Sequence, residues 1–200
     1  MKTLFAVCVA AGLALSVNGQ AQAQTKKYDV KSGILTLEIS VKTGGMDLKS
    51  TATVYFDDYG MKECREKYTG DKLTESYFSD GKTLYTVIHS KKTAYRRGDA
   101  LRGTEMRFDQ NELPEKDRAV EKITLLPNVV IAGKTCASFV KQGISETTTF
   151  AGWGHITFLV AVDGKTVKSA TKVTSFKENV SIPPEKFAVP AGYEIKQSQM

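Results

Sequence analysis

Few residues of this chain are grouped as a reactive site requires. Asp57-Asp58, followed by Tyr59-Gly60, is the tightest pair of carboxylates among apolar neighbours. Two adjacent carboxylates can hold calcium or share a proton. Successive strand residues point to opposite faces, however, and aspartates ahead of a glycine suit a turn. A turn is the expectation here. The two histidines, His89 and His155, are far apart and no nucleophile motif accompanies either, so each is read as a surface or core imidazole. The chain contains no GxSxG, no HExxH and no Walker-type loop, the motifs that carry hydrolytic and nucleotide chemistry. With no CxxC or HxxH spacing, no metal site is expected. No cofactor is expected, and the chain is not read as an enzyme.

Two further groups have chemical potential. Cys64 and Cys136 are the cysteines outside the N-terminal apolar run. A disulfide between them would close a loop of about 70 residues and stabilise by ~4 kcal/mol in the chain-entropy model. The alternative is a pair of buried free thiols. Lys91, Lys92, Arg96 and Arg97 form the densest basic cluster. It suits anionic headgroups or an acidic partner surface, or simply a solvated hairpin end.

The elements that position these groups read mostly as strands. Leu35, Leu37, Ile39 and Val41 alternate with polar residues, and Ala52, Val54 and Phe56 do the same on the return, a period of two with one apolar face. Gly44-Gly45, Asp80-Gly81 and Asp163-Gly164 are hairpin signals. Ile156, Phe158, Val160 and Val162 repeat the alternation. The pattern lapses over residues 98–124, where Pro114 suits a first helical turn. A helix is expected over 114–126, ending before Pro127. Trp153, Phe150 and Phe158 either line a cavity or fill the core.

The address is plainer than the activity. Lys2, an apolar run over 4–17, and small residues ending in Ala21 and Ala23 follow the order of a secretory signal peptide. Residues 1–23 are therefore expected to be a leader, with 24–200 a single domain that is soluble in the periplasm or secreted. Loss of Lys2 with the leader lowers the formal net charge from +6 to +5. An exported basic chain points to a membrane surface or an acidic partner, not to nucleic acid.

Several phrases along the chain carry a resemblance. They are Tyr28 with Lys31-Ser32-Gly33-Ile34, Val54-Tyr55-Phe56-Asp57-Asp58-Tyr59-Gly60 and Asp80-Gly81-Lys82-Thr83-Leu84-Tyr85. Ile131-Ala132-Gly133-Lys134-Thr135-Cys136, Trp153-Gly154-His155-Ile156 and Phe187-Ala188-Val189-Pro190-Ala191-Gly192-Tyr193 complete the set. In this pattern and order the chain resembles the LolA/LolB-like lipoprotein-carrier superfamily and its exported Bacteroidetes relatives. The resemblance implies a mainly β fold, a curved antiparallel half-barrel sheet with a few helices covering its concave face. It implies binding of a lipid, an acyl chain or a lipoprotein anchor in an apolar concavity, and the chain is expected to be a monomer. An envelope interaction or sensor module on the same fold is the alternative. Leu35, Leu37, Ile39, Val54, Phe56, Trp153 and Phe158 are the expected contact residues, and the 114–126 helix is the expected lid.

Overall fold

The computed structural model describes residues 26–99 and 114–197, so the predicted leader lies outside the described residues. The first alternating segments form a meander of β1 (Gly33–Thr43), β2 (Met46–Asp57), β3 (Lys62–Thr69), β4 (Lys72–Ser79), β5 (Thr83–Ile88) and β6 (Thr93–Asp99). After the short helix α1 (Glu115–Val120), a second meander contains β7 (Ile123–Ile131), β8 (Lys134–Gln142), β9 (Glu146–Trp153), β10 (Ile156–Gly164) and β11 (Val167–Glu178). The strand β12 (Glu194–Gln197) follows.

One twelve-stranded sheet takes them all, in the order β12-β6-β5-β4-β3-β2-β1-β11-β10-β9-β8-β7. Pairing of β11 with β1 joins the two meanders, and every pair is antiparallel except β12 with β6. The two outer strands, β7 and β12, do not meet, so the sheet is an unclosed half-barrel. The turn residues set the registers. Gly44 and Gly45 take φ of 53° and 82°, the positive values that a two-residue hairpin of matching twist requires. The Asp80 carboxylate accepts from the Lys82 and Thr83 amides, each at 2.8 Å, and fixes the β4–β5 connection. Asp57 accepts from the Asp58 amide at 2.7 Å, the turn role read for that pair.

Residues 114–126 depart from the expected helix. Only Glu115–Val120 is helical, and none of it is buried. Lys122 takes a φ of 53°, which ends the helix, and the β-branched run from Ile123 enters the sheet instead. Pro127 is tolerated because β7 is an outer strand with a bulge between Leu126 and Val129, the setting in which a strand accepts proline. The expected lid is thus one short exposed helix followed by the first residues of a strand. Among the described residues, no α-helix covers the sheet.

Alternation on β1 and β2 sends neighbouring apolar residues into two cores on opposite faces. Leu35, Leu37, Val54 and Phe56 enter one, which includes Val30, Ile156, Phe158 and Val173. Ile34 and Tyr55 pack against the other, formed by Cys64, Phe78, Val87, Ala94, Ile182 and Phe187. The segment 180–193 is the strap that covers this second core. It is tied down where the Ser32 hydroxyl donates to the Val180 carbonyl at 2.7 Å. Cys64 and Cys136 are both buried free thiols, the second of the two readings that the sequence left open. They occupy different cores, with five strands between β3 and β8.

Candidate functional site

The first core fills one end of its face. The Tyr28 and Phe56 rings meet edge to face at 4.9 Å, and Phe158 meets Phe176 at 5.5 Å and 90°. Trp153 lies 6.1 Å from Phe176, with the Lys134 ammonium 4.1 Å over the indole. The chain before β1 is stitched across this end by Lys27 and Tyr28 amides donating to the Tyr59 carbonyl at 2.9 Å, and by the Asp29 amide to Gly154 at 3.1 Å. All seven expected contact residues therefore belong to or pack against one cluster. Five of them, Leu35, Leu37, Val54, Phe56 and Phe158, are buried, whereas Ile39 and Trp153 are half-buried.

Toward the other end the same face opens. Register partners share a face, and a row of them runs Leu125–Phe139–Phe150–Val160–Thr171–Ile39 across six strands. The next row out holds Val162, Ser169, Val41 and Leu48. Phe139 is buried and stacked on Phe150 at 5.0 Å, but Phe150, Val160, Val162, Ile39 and Val41 are half-buried, and Leu125 and Leu48 are exposed. The result is an apolar band that meets the first core at Ile39 and is accessible to solvent over most of its length. Alternation marked Ile39, Val41, Val160 and Val162 as core-facing. Nothing local distinguishes a packed position from an open one, and the contribution of Phe139 depends on a register set by β8 and β9.

The opposite face holds a polar network that the sequence did not disclose. Glu66 is buried and pairs with Lys186 of the strap at 2.6 Å, and it accepts from the Tyr68 hydroxyl at 2.7 Å. The Lys186 ammonium lies 4.3 Å over the Tyr55 ring. Burial opposes the Lys186 charge, but the hydrogen bond and charge of Glu66, with Tyr55, outweigh it and raise its pKa. Burial, then the Glu66 charge, pushes the Cys64 thiol up to about 12, so it is protonated and unreactive. His89 Nε2 lies 2.7 Å from the Ser76 hydroxyl and Nδ1 lies 3.0 Å from the Tyr193 hydroxyl. Burial lowers the His89 pKa, with Glu66 opposing. A hydroxyl beside an imidazole is the start of a nucleophile–base pair. Here Ser76 is buried, and the third partner is a tyrosine of the strap instead of an orienting carboxylate. The geometry is that of a latch.

The remaining candidates are dispersed. Arg96 pairs with Asp99 at 3.8 Å, while the Arg97 Nε donates to Thr86 at 3.0 Å. Lys91 and Lys92 occupy the exposed β5–β6 turn. His155 Nδ1 is 3.2 Å from Asp29, at the β9–β10 turn. Among the described residues, no three His, Cys, Asp or Glu side chains are grouped to hold a metal, and no helix is long and apolar enough to cross a membrane.

No protein-family model matches the sequence, and neither does any curated protein. The fold is met in solved structures. An uncharacterized conserved protein from Thermus thermophilus superposes with a TM-score of 0.55 at 9% identity, over 84% of this chain and 91% of that one. A chain of the Pseudomonas aeruginosa MucA/MucB complex superposes with a TM-score of 0.53 at 10% identity, over 82% of this chain and 58% of that one. LolA superfamily proteins are represented too, among them one from Nitrosomonas europaea at a TM-score of 0.41 and 10% identity, over 81% of this chain and 94% of that one. At these identities the likeness is one of fold.

Proposed function

We propose that this protein is an exported, non-catalytic binding protein that holds an acyl chain, as part of a lipid or a lipoprotein anchor, along the open half of its apolar face. The observation that carries this reading is the row Leu125–Phe139–Phe150–Val160–Thr171–Ile39, apolar at five of six positions and half-exposed over most of its length. A monomeric protein has no reason to leave such a band facing water unless something covers it. Each methylene laid against it contributes ~0.8 kcal/mol, enough for reversible retention of one chain. The packed end, from Phe56 to Phe158, is filled core in this reading and lies beyond the bound chain. The test is native mass spectrometry of the mature protein from its own envelope, with extraction of what it holds, and titration with a fluorescent fatty acid. A stoichiometric lipid supports the reading, while an empty protein that takes up no fatty acid refutes it.

A second reading is an interaction module for an envelope protein. Its support is that five of the seven expected contact residues are already filled by core packing, together with a fold shared with a chain solved in the MucA/MucB complex. Co-purification of one stoichiometric protein with an empty band favours it.

A further inference from the structure

Five of the exposed apolar side chains, Met46, Leu48, Val120, Ile144 and Val167, belong to one end of the sheet. Register fixes this placement. Thr43 opposes both Met46 and Val167, so the β1–β2 and β10–β11 turns are level. Gly164 opposes Glu146, which brings the β8–β9 loop to the same level. Ile123 opposes Lys141, and the Gln142 amide donates to the Lys122 carbonyl at 3.0 Å, which adds the end of α1. Ile144 is 103% exposed, Val120 78% and Met46 57%. Four neighbouring connections thus each lift apolar side chains clear of the fold, side by side.

The chemistry of the tips selects the partner. A specific protein interface buries a contiguous apolar centre within a polar rim. Here the apolar groups are single side chains separated by turns, which suits a deformable lipid interface that each enters on its own. Lysines stand on the same tips. Lys42 and Lys49 flank Met46 and Leu48, while Lys165 and Lys168 flank Val167. Long ammonium side chains beside inserted apolar groups reach the phosphate level. Their acidic neighbours do not hold them firmly, since the Lys42–Asp47 pair at 3.5 Å and the Lys168–Asp163 pair at 2.8 Å are solvent-exposed and such pairs contribute little.

We propose that this end of the sheet docks on an anionic lipid bilayer, with the turn tips as its anchors. The Lys91–Arg97 cluster, to which the sequence pointed, begins at the β5–β6 turn, three strands along the sheet from β2, and supplies none of these four tips. The docking does not rest on the cargo reading, although the Val41–Leu48–Val162 row opens at the same end. The test is flotation of the full mature protein with vesicles of phosphatidylethanolamine and phosphatidylglycerol. The wild type floats, and the double variant Ile144→Glu, Met46→Glu floats at least roughly tenfold less at an unchanged melting temperature. Val130→Glu, at a residue 73% exposed at the far end of β7, floats as the wild type does. A wild type that stays with the buffer overturns the proposal. So does a double variant that floats equally well, or an equal loss in Val130→Glu. Fatty-acid uptake by the same samples separates the two readings. Flotation without uptake supports docking and counts against the carrier, whereas uptake without flotation overturns docking alone.

Discussion

Gly33 opens β1 at the point where the Phe56 and Phe176 rings close over the strand. A Cβ there would stand 2.7 Å from Phe56 and 2.9 Å from Phe176, closer than carbon atoms tolerate. Both rings are held by aromatic neighbours, Tyr28 on one and Trp153 and Phe158 on the other, so neither yields freely. Gly33→Ala is therefore expected to destabilise by about 1–3 kcal/mol, read as a lower denaturant midpoint at unchanged slope. The cysteines make a second prediction at this scale. Cys64 and Cys136 are buried, and burial raises both thiols. Neither is expected to react with a thiol reagent in the native protein near pH 8, and both react on unfolding. Rapid native-state labelling would contradict the buried placement. The sequence left bridge and free thiols open because cysteine spacing is silent on which core each strand faces.

At the scale of elements, the strap 180–193 is held to β3–β5 by polar contacts as well as by Ile182 and Phe187. Removing Lys186 leaves the Glu66 carboxylate buried without its partner. Lys186→Ala is expected to cost up to about 3 kcal/mol, less than a fully buried pair because the lysine side chain is 27% exposed. The other clasp is pH-dependent. His89 has a lowered pKa, so the unfolded chain binds its proton more readily than the fold does. Its contribution is present above the ordinary value of 6.5 and is lost as the pH falls through that region. The denaturant midpoint should drop between about pH 7.5 and 5.5, and His89→Gln should flatten that drop. An equal pH slope in the variant would assign the effect to other groups. None of this clasp was legible in the sequence. Glu66, His89, Lys186 and Tyr193 lie on separate segments with no motif spacing, and only the docking of the strap brings them together. The strands and their turns were legible, because Leu35 to Val41 and Ile156 to Val162 alternate and Gly44-Gly45 and Asp80-Gly81 set the reversals. Residues 123–131 were not. Pro114 and the charges over residues 115–122 carry the helix reading on to Leu126, and the edge position that excuses Pro127 is a property of the assembled sheet.

For the whole molecule, the decisive feature is that one face is packed at one end and open at the other. Packing and binding make opposite demands on a side chain, and in the proposed acyl-binding reading the two halves separate them. Phe56 lies fully buried in the packed half. Phe56→Ala is expected to cost about 3–5 kcal/mol and to leave acyl-chain uptake in place in whatever fraction remains folded. Val160 and Val162 lie half-buried in the open half, on the same side of β10 by their pairing with Thr171 and Ser169. The double variant Val160→Asp, Val162→Asp puts carboxylates where a chain would lie, and a desolvated charge without a partner is strongly unfavourable. It is expected to lose uptake of a fluorescent fatty acid by at least roughly tenfold, at a stability cost well below that of Phe56→Ala because water still reaches both positions. The paired measurement carries more than either variant alone. If the aspartates unfold the protein as Phe56→Ala does, the open half is core. If they change neither stability nor uptake, any bound chain lies elsewhere. Loss of uptake with the fold intact is the one pattern that a partly open half-barrel requires.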